Sequence, residues 1–232
     1  GHDVCGSLPY LRVISDSLGD KAPCSEAIRQ FDLELDYPLG VRSKIRFPKG
    51  DIGEIAVKGD IVTQRYFERT RDDMLSKISE NESIWHRMGD LGWIDQAQRL
   101  WFCGRKSHRV ITAQGTLYTV PCEAIFNNHP NVFRSALVGV GPKPSQQPVI
   151  CIEIEKTGKR VRKSKLRDEL TAMAESSVIT KSIRTILFHP SFPVDIRHNS
   201  KIFREKLAVW AEKKMASGFQ KKTRFKKRRE PV

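Results

Sequence analysis

The sequence lacks any run of about 18 or more apolar residues, so no membrane-spanning helix is expected. A charged-then-apolar leader is also missing, and no signal peptide is expected. Cysteine is sparse: Cys5, Cys24, Cys103, Cys122 and Cys151 are odd in number and show neither CxxC nor Cys/His ligand spacing. That pattern argues against a zinc site and against a disulfide framework, and it points to a reducing, cytoplasmic compartment. Acidic residues are outnumbered, 27 Asp+Glu against 41 Lys+Arg, giving a formal charge of +14. The excess is local. Residues 201–232 hold 12 Lys+Arg against 3 Glu, a net +9, and GFQKKTRFKKRREPV has little apolar content beyond Phe219 and Phe225. Residues 216–232 therefore read as a basic disordered tail, open to weak phosphate contacts with RNA or anionic lipid or to a solubilising role. With two lone aromatics and no stacking platform, a specific nucleic-acid module is the weaker reading.

What is present suffices for a globular core: 232 residues, 39% apolar, enough for one large domain or two small ones. The informative stretch is WHRMGDLGWIDQAQRLWFCGRKSHR, Trp85 to Arg109. Two short apolar strands, Leu91 to Ile94 and Leu100 to Cys103, flank a polar turn at Asp95 to Arg99 and predict a hairpin. It sets Asp90 and Arg105 on its two sides. A carboxylate can accept from both vicinal hydroxyls of a ribose, and a planar guanidinium can donate to it from the other side. Gly-Asp and Gly-Arg pairs also arise in turns for local reasons alone, so the hairpin by itself leaves both readings open.

Upstream, Leu11 to Ser15 reads as a strand, and Ile55, Val57 and Ile61 suggest two short strands bent at Gly59. Thr70 to Ser79 reads as a helix and Ile84 to Met88 as a strand. Downstream, Pro121 and Glu123 open a helix, Val132 to Gly141 and Pro148 to Lys156 alternate as strands, and Lys163 to Ala174 carries Leu166, Leu170 and Met173 at helical spacing. A strand at Ile183 to His189 and a helix at Ile202 to Lys213 complete an α+β domain of roughly a hundred residues. Lys201 then falls at or near a helical first turn, where backbone N–H groups favour an anion. On composition alone an ordinary surface lysine is the commoner reading.

Four motifs, in order, resemble those of the adenylate-forming superfamily (acyl-CoA synthetases, peptide-synthetase adenylation domains, luciferases). Gly53-Glu54-Ile55-Ala56-Val57-Lys58-Gly59 resembles the Gly-Glu-(Leu/Ile)-x-(Val/Ile)-x-Gly segment of the large domain's β-barrel, where its role is structural. His86-Arg87-Met88-Gly89-Asp90 resembles Tyr/His-(Arg/Lys)-Thr-Gly-Asp, and Gly104-Arg105-Lys106-Ser107 resembles Gly-Arg-x-Asp. Asn199-Ser200-Lys201-Ile202-Phe203-Arg204 is similar to Asn-Gly-Lys-(Val/Ile)-x-Arg. The departures are Met88 for Thr, Ser107 for the hinge Asp and Ser200 for Gly.

The resemblance implies residues 1–105 as the C-terminal part of the large AMP-binding domain, 106–215 as the mobile small domain, and 216–232 as the tail. It also implies ATP with Mg2+, Asp90 and Arg105 on the ribose, Ser107 as the hinge and Lys201 as the catalytic lysine bridging carboxylate and α-phosphate. The family's phosphate loop and Tyr-Gly-x-Thr-Glu motif have no counterpart in the sequence, so the chain alone is expected to be inactive. Within the family, the stretches VDIRHNSKIFREKLAVWA, WHRMGDLGWIDQAQRLWFCGRKSHRV and LYTVPCEAIFNNHP most resemble the olefin β-lactone synthetases. They imply adenylation of a β-hydroxy fatty acid and closure to a β-lactone in olefin biosynthesis, with hydrocarbon-biosynthesis enzymes as partners. A long-chain acyl-CoA synthetase is the alternative, weakened by the loop Ala113-Gln114-Gly115-Thr116-Leu117, which lacks the Arg usual in that group.

Overall fold

The computed structural model describes residues 10–15, 33–35, 43–45, 51–60, 62–80, 83–97, 99–156, 161–195 and 197–227. The chain divides into two units, Gly1–Ser107 and His108–Val232, each an α+β assembly.

In the first unit, β1 (Tyr10–Ser15), β4 (Gly53–Lys58), β6 (Ser83–Ile94) and β5 (Lys77–Glu80) lie in that order in one antiparallel sheet, and β7 (Leu100–Arg105) pairs with β6. The short β2 (Leu33–Leu35) and β3 (Ser43–Ile45) form a separate ladder. Ile55, Ala56, Trp85 and Leu91 are buried. The helix expected over Thr70 to Ser79 is shorter: α1 spans Thr70–Ser76, and Lys77 turns extended at φ −113, ψ 122. From there Lys77–Glu80 pairs with Ser83–His86, and the Lys77 ammonium bonds to the Thr63 carbonyl and hydroxyl. Ladder pairing outcompetes a last helical turn with no buried residue. The second strand expected beyond Gly59 is also replaced: β4 ends at Lys58, and Val62 N–H closes a turn onto Gly59 O at 3.0 Å. Ile61 lies outside the described residues.

The second unit begins with the β8 (Val110–Thr112) and β9 (Gly115–Leu117) hairpin. Its main sheet runs β10 (Val132–Val140), β11 (Gln147–Ile154), β12 (Thr185–His189), antiparallel and then parallel. The parallel step is made possible by the crossover α3 (Lys163–Glu175). One sheet face, with Leu137, Ile150 and Ile152, packs against Cys122 and Phe126 of α2 (Thr119–Asn127) and Leu166, Leu170 and Ala174 of α3. The other face, with Ala136, Val138, Val149 and Cys151, takes Leu207 and Ala211 of α4 (Arg204–Lys227). β11, central in the sheet, is therefore buried on both faces. Each fully buried Leu or Ile contributes about 1.5–3 kcal/mol of transfer free energy.

Two boundaries differ from expectation. α2 starts at Thr119, ahead of Pro121, because the first residues of a helix have no intrahelical acceptor for their N–H groups; the first bond is Cys122 N–H to Tyr118 O, 3.3 Å. α4 starts at Arg204 rather than Ile202 and continues to Lys227, so the segment expected to be disordered from 216 is helical through Lys227. Lys, Arg, Gln and Met are strong helix formers, and the cost of Gly218 is about 1 kcal/mol. Among the described residues no helix is long and apolar enough to cross a membrane.

Candidate functional site

The two strands expected at Ile84 to Met88 and Leu91 to Ile94 are one strand, β6, interrupted by a bulge. On β4, Glu54 faces Leu91 and Ala56 faces Arg87, so β6 advances four residues while β4 advances two. Met88, Gly89 and Asp90 lie where β4 has the single residue Ile55. Gly89 supplies the turn with φ +66, a left-handed conformation that strains any L side chain. Bulges re-aim side chains; this one directs Asp90 toward Arg105, its register partner on β7.

Arg105 Nε lies 3.1 Å from Asp90 Oδ1, and Arg105 Nη1 donates to Met88 O at 3.1 Å. The contact is an ion pair, and among the described residues the buried Asp90 Oδ1 meets no hydrogen-bond donor. Burial is the main influence raising the Asp90 carboxyl above its ordinary range; the Arg105 charge opposes it and the Glu54 charge adds to it. The product is a half-buried acceptor in need of a donor, beside a guanidinium that is 57% exposed and able to donate outward. That donor set fits a ribose diol.

Beneath the bulge lies an ionic cluster that the sequence does not announce. Glu54 Oε2 accepts from Arg87 Nη2 (2.7 Å), Arg87 Nε (3.2 Å) and Lys106 Nζ (2.9 Å). The three side chains are 3%, 7% and 7% exposed. Burial pushes the Glu54 carboxyl up, but the two hydrogen-bonded cations outweigh it and hold the group below its ordinary range. Arg87 also donates to Leu75 O at 3.0 Å. The only local hint is an acidic residue inside the apolar run Gly53 to Val57.

The hairpin turn is pinned by Asp95, whose carboxylate accepts from Ala97 N, Arg99 N, Arg99 Nε and Trp101 Nε1 at 2.7–2.9 Å. The Trp101 indole first, then the Arg99 backbone N–H, keep it far below the usual carboxylate range. Trp93 stacks on Trp101 with centroids 5.8 Å apart. Gly92 permits the close crossing, since a Cβ there would sit 2.8 Å from Trp101 O. Ser107 is exposed at the end of the first unit, in the 3-10 turn Lys106–His108.

In the second unit Lys201 is not in a helical first turn. It lies, exposed, on β14 (His198–Ile202), which pairs with β13 (Val194–Asp195). Phe203 N–H donates to Pro193 O at 2.9 Å, and the helix begins only at Arg204. The strand is wanted here because pairing Val194 with Ile202 satisfies the backbone of a Pro-led loop. Asp195, buried, accepts the Arg197 N–H at 2.9 Å; this bond, then the Arg197 side chain and more weakly the Lys201 charge, lower its carboxyl. Three residues after Lys201, Arg204 forms a two-pronged pair with Glu123 of α2 (Nη1–Oε1 2.5 Å, Nη2–Oε2 2.9 Å). Glu123 Oε1 also accepts the Leu137 N–H at 2.7 Å, and Arg204 donates to Leu137 O at 3.2 Å. The lysine-bearing strand is thus moored to α2 and β10. The separation of 81 residues hides that pair from a sequence reading.

No family model matches the chain. The chain is 48% identical over 167 residues to the olefin β-lactone synthetase of Xanthomonas campestris pv. campestris, covering 70% of this chain and 30% of that protein. It is 45% identical over 182 residues to the olefin β-lactone synthetase of Stenotrophomonas maltophilia, covering 76% and 33%. Solved structures agree in fold. An anthranilate CoA ligase in complex with anthranoyl-AMP matches with TM-score 0.66 at 17% identity, over 90% of this chain and 34% of that one. The o-succinylbenzoate coenzyme A synthetase of Bacillus subtilis, in complex with ATP and magnesium, matches with TM-score 0.57 at 23% identity, over 75% and 33%. The chain belongs to the adenylate-forming superfamily. Within it, the relatives to which it is 45–48% identical are olefin β-lactone synthetases, and the chain spans about a third of their length.

Proposed function

We propose that the chain provides the ribose-binding hairpin and the mobile lysine-bearing domain of an ATP-dependent ligase that adenylates a β-hydroxy fatty acid and closes it to a β-lactone. The observation that carries the nucleotide part is the buried Asp90 Oδ1, which lacks a donor among the described residues and faces Arg105. The acyl part rests on the likeness to the two synthetases. In the first step the acid's carboxylate oxygen attacks the α-phosphorus and pyrophosphate leaves, giving an acyl adenylate. In the second the β-hydroxyl oxygen attacks the acyl carbon, its proton passes to a base or to water, and AMP leaves. Asp90 accepts from the ribose hydroxyls and Arg105 donates to the ribose. The Lys201 ammonium neutralises charge growing on the carboxylate and α-phosphate, an electrostatic contribution to the barrier. Ring closure is intramolecular, so holding hydroxyl and carbonyl together supplies the proximity advantage.

Mg2+ would accompany the ATP phosphates; among the described residues no group of three His, Cys, Asp or Glu gathers to hold a metal. Ser107 would serve as the hinge, with 1–105 and 106–215 as the two domains and hydrocarbon-biosynthesis enzymes as partners. The free, buried thiols of Cys103, Cys122 and Cys151 support a reducing cytoplasm. The test is ATP–pyrophosphate exchange stimulated by a long-chain β-hydroxy acid, measured on this chain alone and joined to the upstream two thirds of the Xanthomonas relative. Exchange in the joined protein, lost in Lys201→Ala, with a β-lactone product whether or not coenzyme A is added, is expected. An acyl-CoA product would refute the lactone step.

A further inference from the structure

We infer that Glu54 is a positioning residue of the ribose site: its buried carboxylate ties the residue that enters the β6 bulge to the residue that follows Arg105, and so fixes how Asp90 and Arg105 face each other. The inference rests on the ribose reading of Asp90. Three observations carry it. First, Asp90 is set by an irregularity, not by a regular ladder: between Arg87 and Leu91 the chain leaves its pairing with β4. A bulge lacks the cross-strand bonds that fix a strand's register, so its shape depends on side chains. Second, Glu54 lies opposite Leu91 at the bulge's exit, while its Oε2 holds Arg87 at the entrance at 2.7 and 3.2 Å. One contact spans the irregularity. Third, the same oxygen holds Lys106 at 2.9 Å, and Lys106 directly follows Arg105. Arg105 closes the figure by donating to Met88 O inside the bulge.

Regular pairing could not do this. Leu91 pairs with Gly104, and the register between β6 and β7 shifts again between Leu91 and Gly92, so the Asp90–Arg105 step is flanked by irregular backbone on both strands. The side chains of Glu54, Arg87 and Lys106 are inaccessible at 3–7% exposure, so Glu54 touches no nucleotide and can act only through Asp90 and Arg105.

A purely structural glutamate would weaken binding of every adenine nucleoside alike. A positioning glutamate would weaken only the part that depends on the ribose hydroxyls. NMR titration of this chain, joined to the upstream two thirds of the Xanthomonas relative, with adenosine and with 2′,3′-dideoxyadenosine separates the two. Wild type is expected to prefer adenosine by about tenfold, the value of one hydrogen bond to a charged group, and Asp90→Asn to lose that preference. Glu54→Gln is expected to lose it as well while amide shifts away from the cluster stay in place. Lys106→Met, which leaves the Glu54–Arg87 pair intact, should lose part of it, and it decides the matter if Glu54→Gln does not fold. Retention of the full preference in the folded Glu54→Gln chain, or in Lys106→Met should Glu54→Gln not fold, overturns the inference and leaves the ribose reading standing. Absence of any preference in wild type overturns the ribose reading, and the inference with it.

Discussion

Replacing Arg204 by Met would remove one half of the pair that moors the start of α4. The pair is well shielded, with side chains 15% and 10% exposed. Stranding a buried charge costs about 3–5 kcal/mol; the Leu137 N–H still serves Glu123, which places the loss near the lower bound, about 3 kcal/mol. For a unit of this size each kcal/mol lowers Tm by roughly 3–5 °C, so a fall of roughly 10–15 °C is expected at pH 8. The loss must depend on pH. Burial raises the Glu123 carboxyl, and the Arg204 charge is the main opposing influence. Without Arg204 the folded value rises further above the ordinary 4.5. The folded state then keeps a proton that the unfolded chain releases, and stability declines as pH climbs from about 5 toward the raised value. Calorimetric melts at pH 5 and pH 8 test this, with Glu123→Leu/Arg204→Met as the partner variant, expected to recover much of the loss because neither charge remains. A Tm change below about 3 °C at pH 8, or an equal change at both pH values, would refute the reasoning.

Lys201→Ala should leave Tm within about 2 °C, since the side chain is exposed, yet lower exchange in the joined protein on the order of a hundredfold or more. Gly92→Ala places a Cβ 2.8 Å from Trp101 O and 3.1 Å from Ile55 Cδ1; urea melts should show a loss of about 1–3 kcal/mol. The Cys122 and Cys151 thiols are pushed up to about 12 by burial, and Cys103 to about 11. Peptide mapping after thiol labelling at pH 8 should find all three unmodified until denaturant is added.

The features legible in the sequence are local ones. The hairpin at Leu91 to Ile94 and Leu100 to Cys103, with Asp90 opposite Arg105, follows from alternation around one polar turn, and the structure has that register. The helix expected over Lys163 to Ala174 from the spacing of Leu166, Leu170 and Met173 is α3, Lys163–Glu175, which buries Leu166 and Leu170 and packs Met173 against the same core. What escaped was set by distant partners. The bulge at Met88 to Asp90 appears only against β4. Lys201 is strand-borne because Val194, seven positions earlier, captures Ile202. Lys77 to Ser79 left the helix for a ladder with Ile84 to His86. Glu54, Arg87 and Lys106 meet across 33 and 52 residues, and each alone reads as an unremarkable polar residue.

That shared glutamate oxygen has an evolutionary consequence. Two cations on one acceptor cannot drift independently: losing Glu54 removes the carboxylate they share, and losing either cation changes the charge left in the cluster. Positions 54, 87 and 106 should therefore be inherited as a block. Segment exchange between relatives should tolerate crossovers upstream of Gly53 or downstream of Ser107 far better than a junction that separates the three.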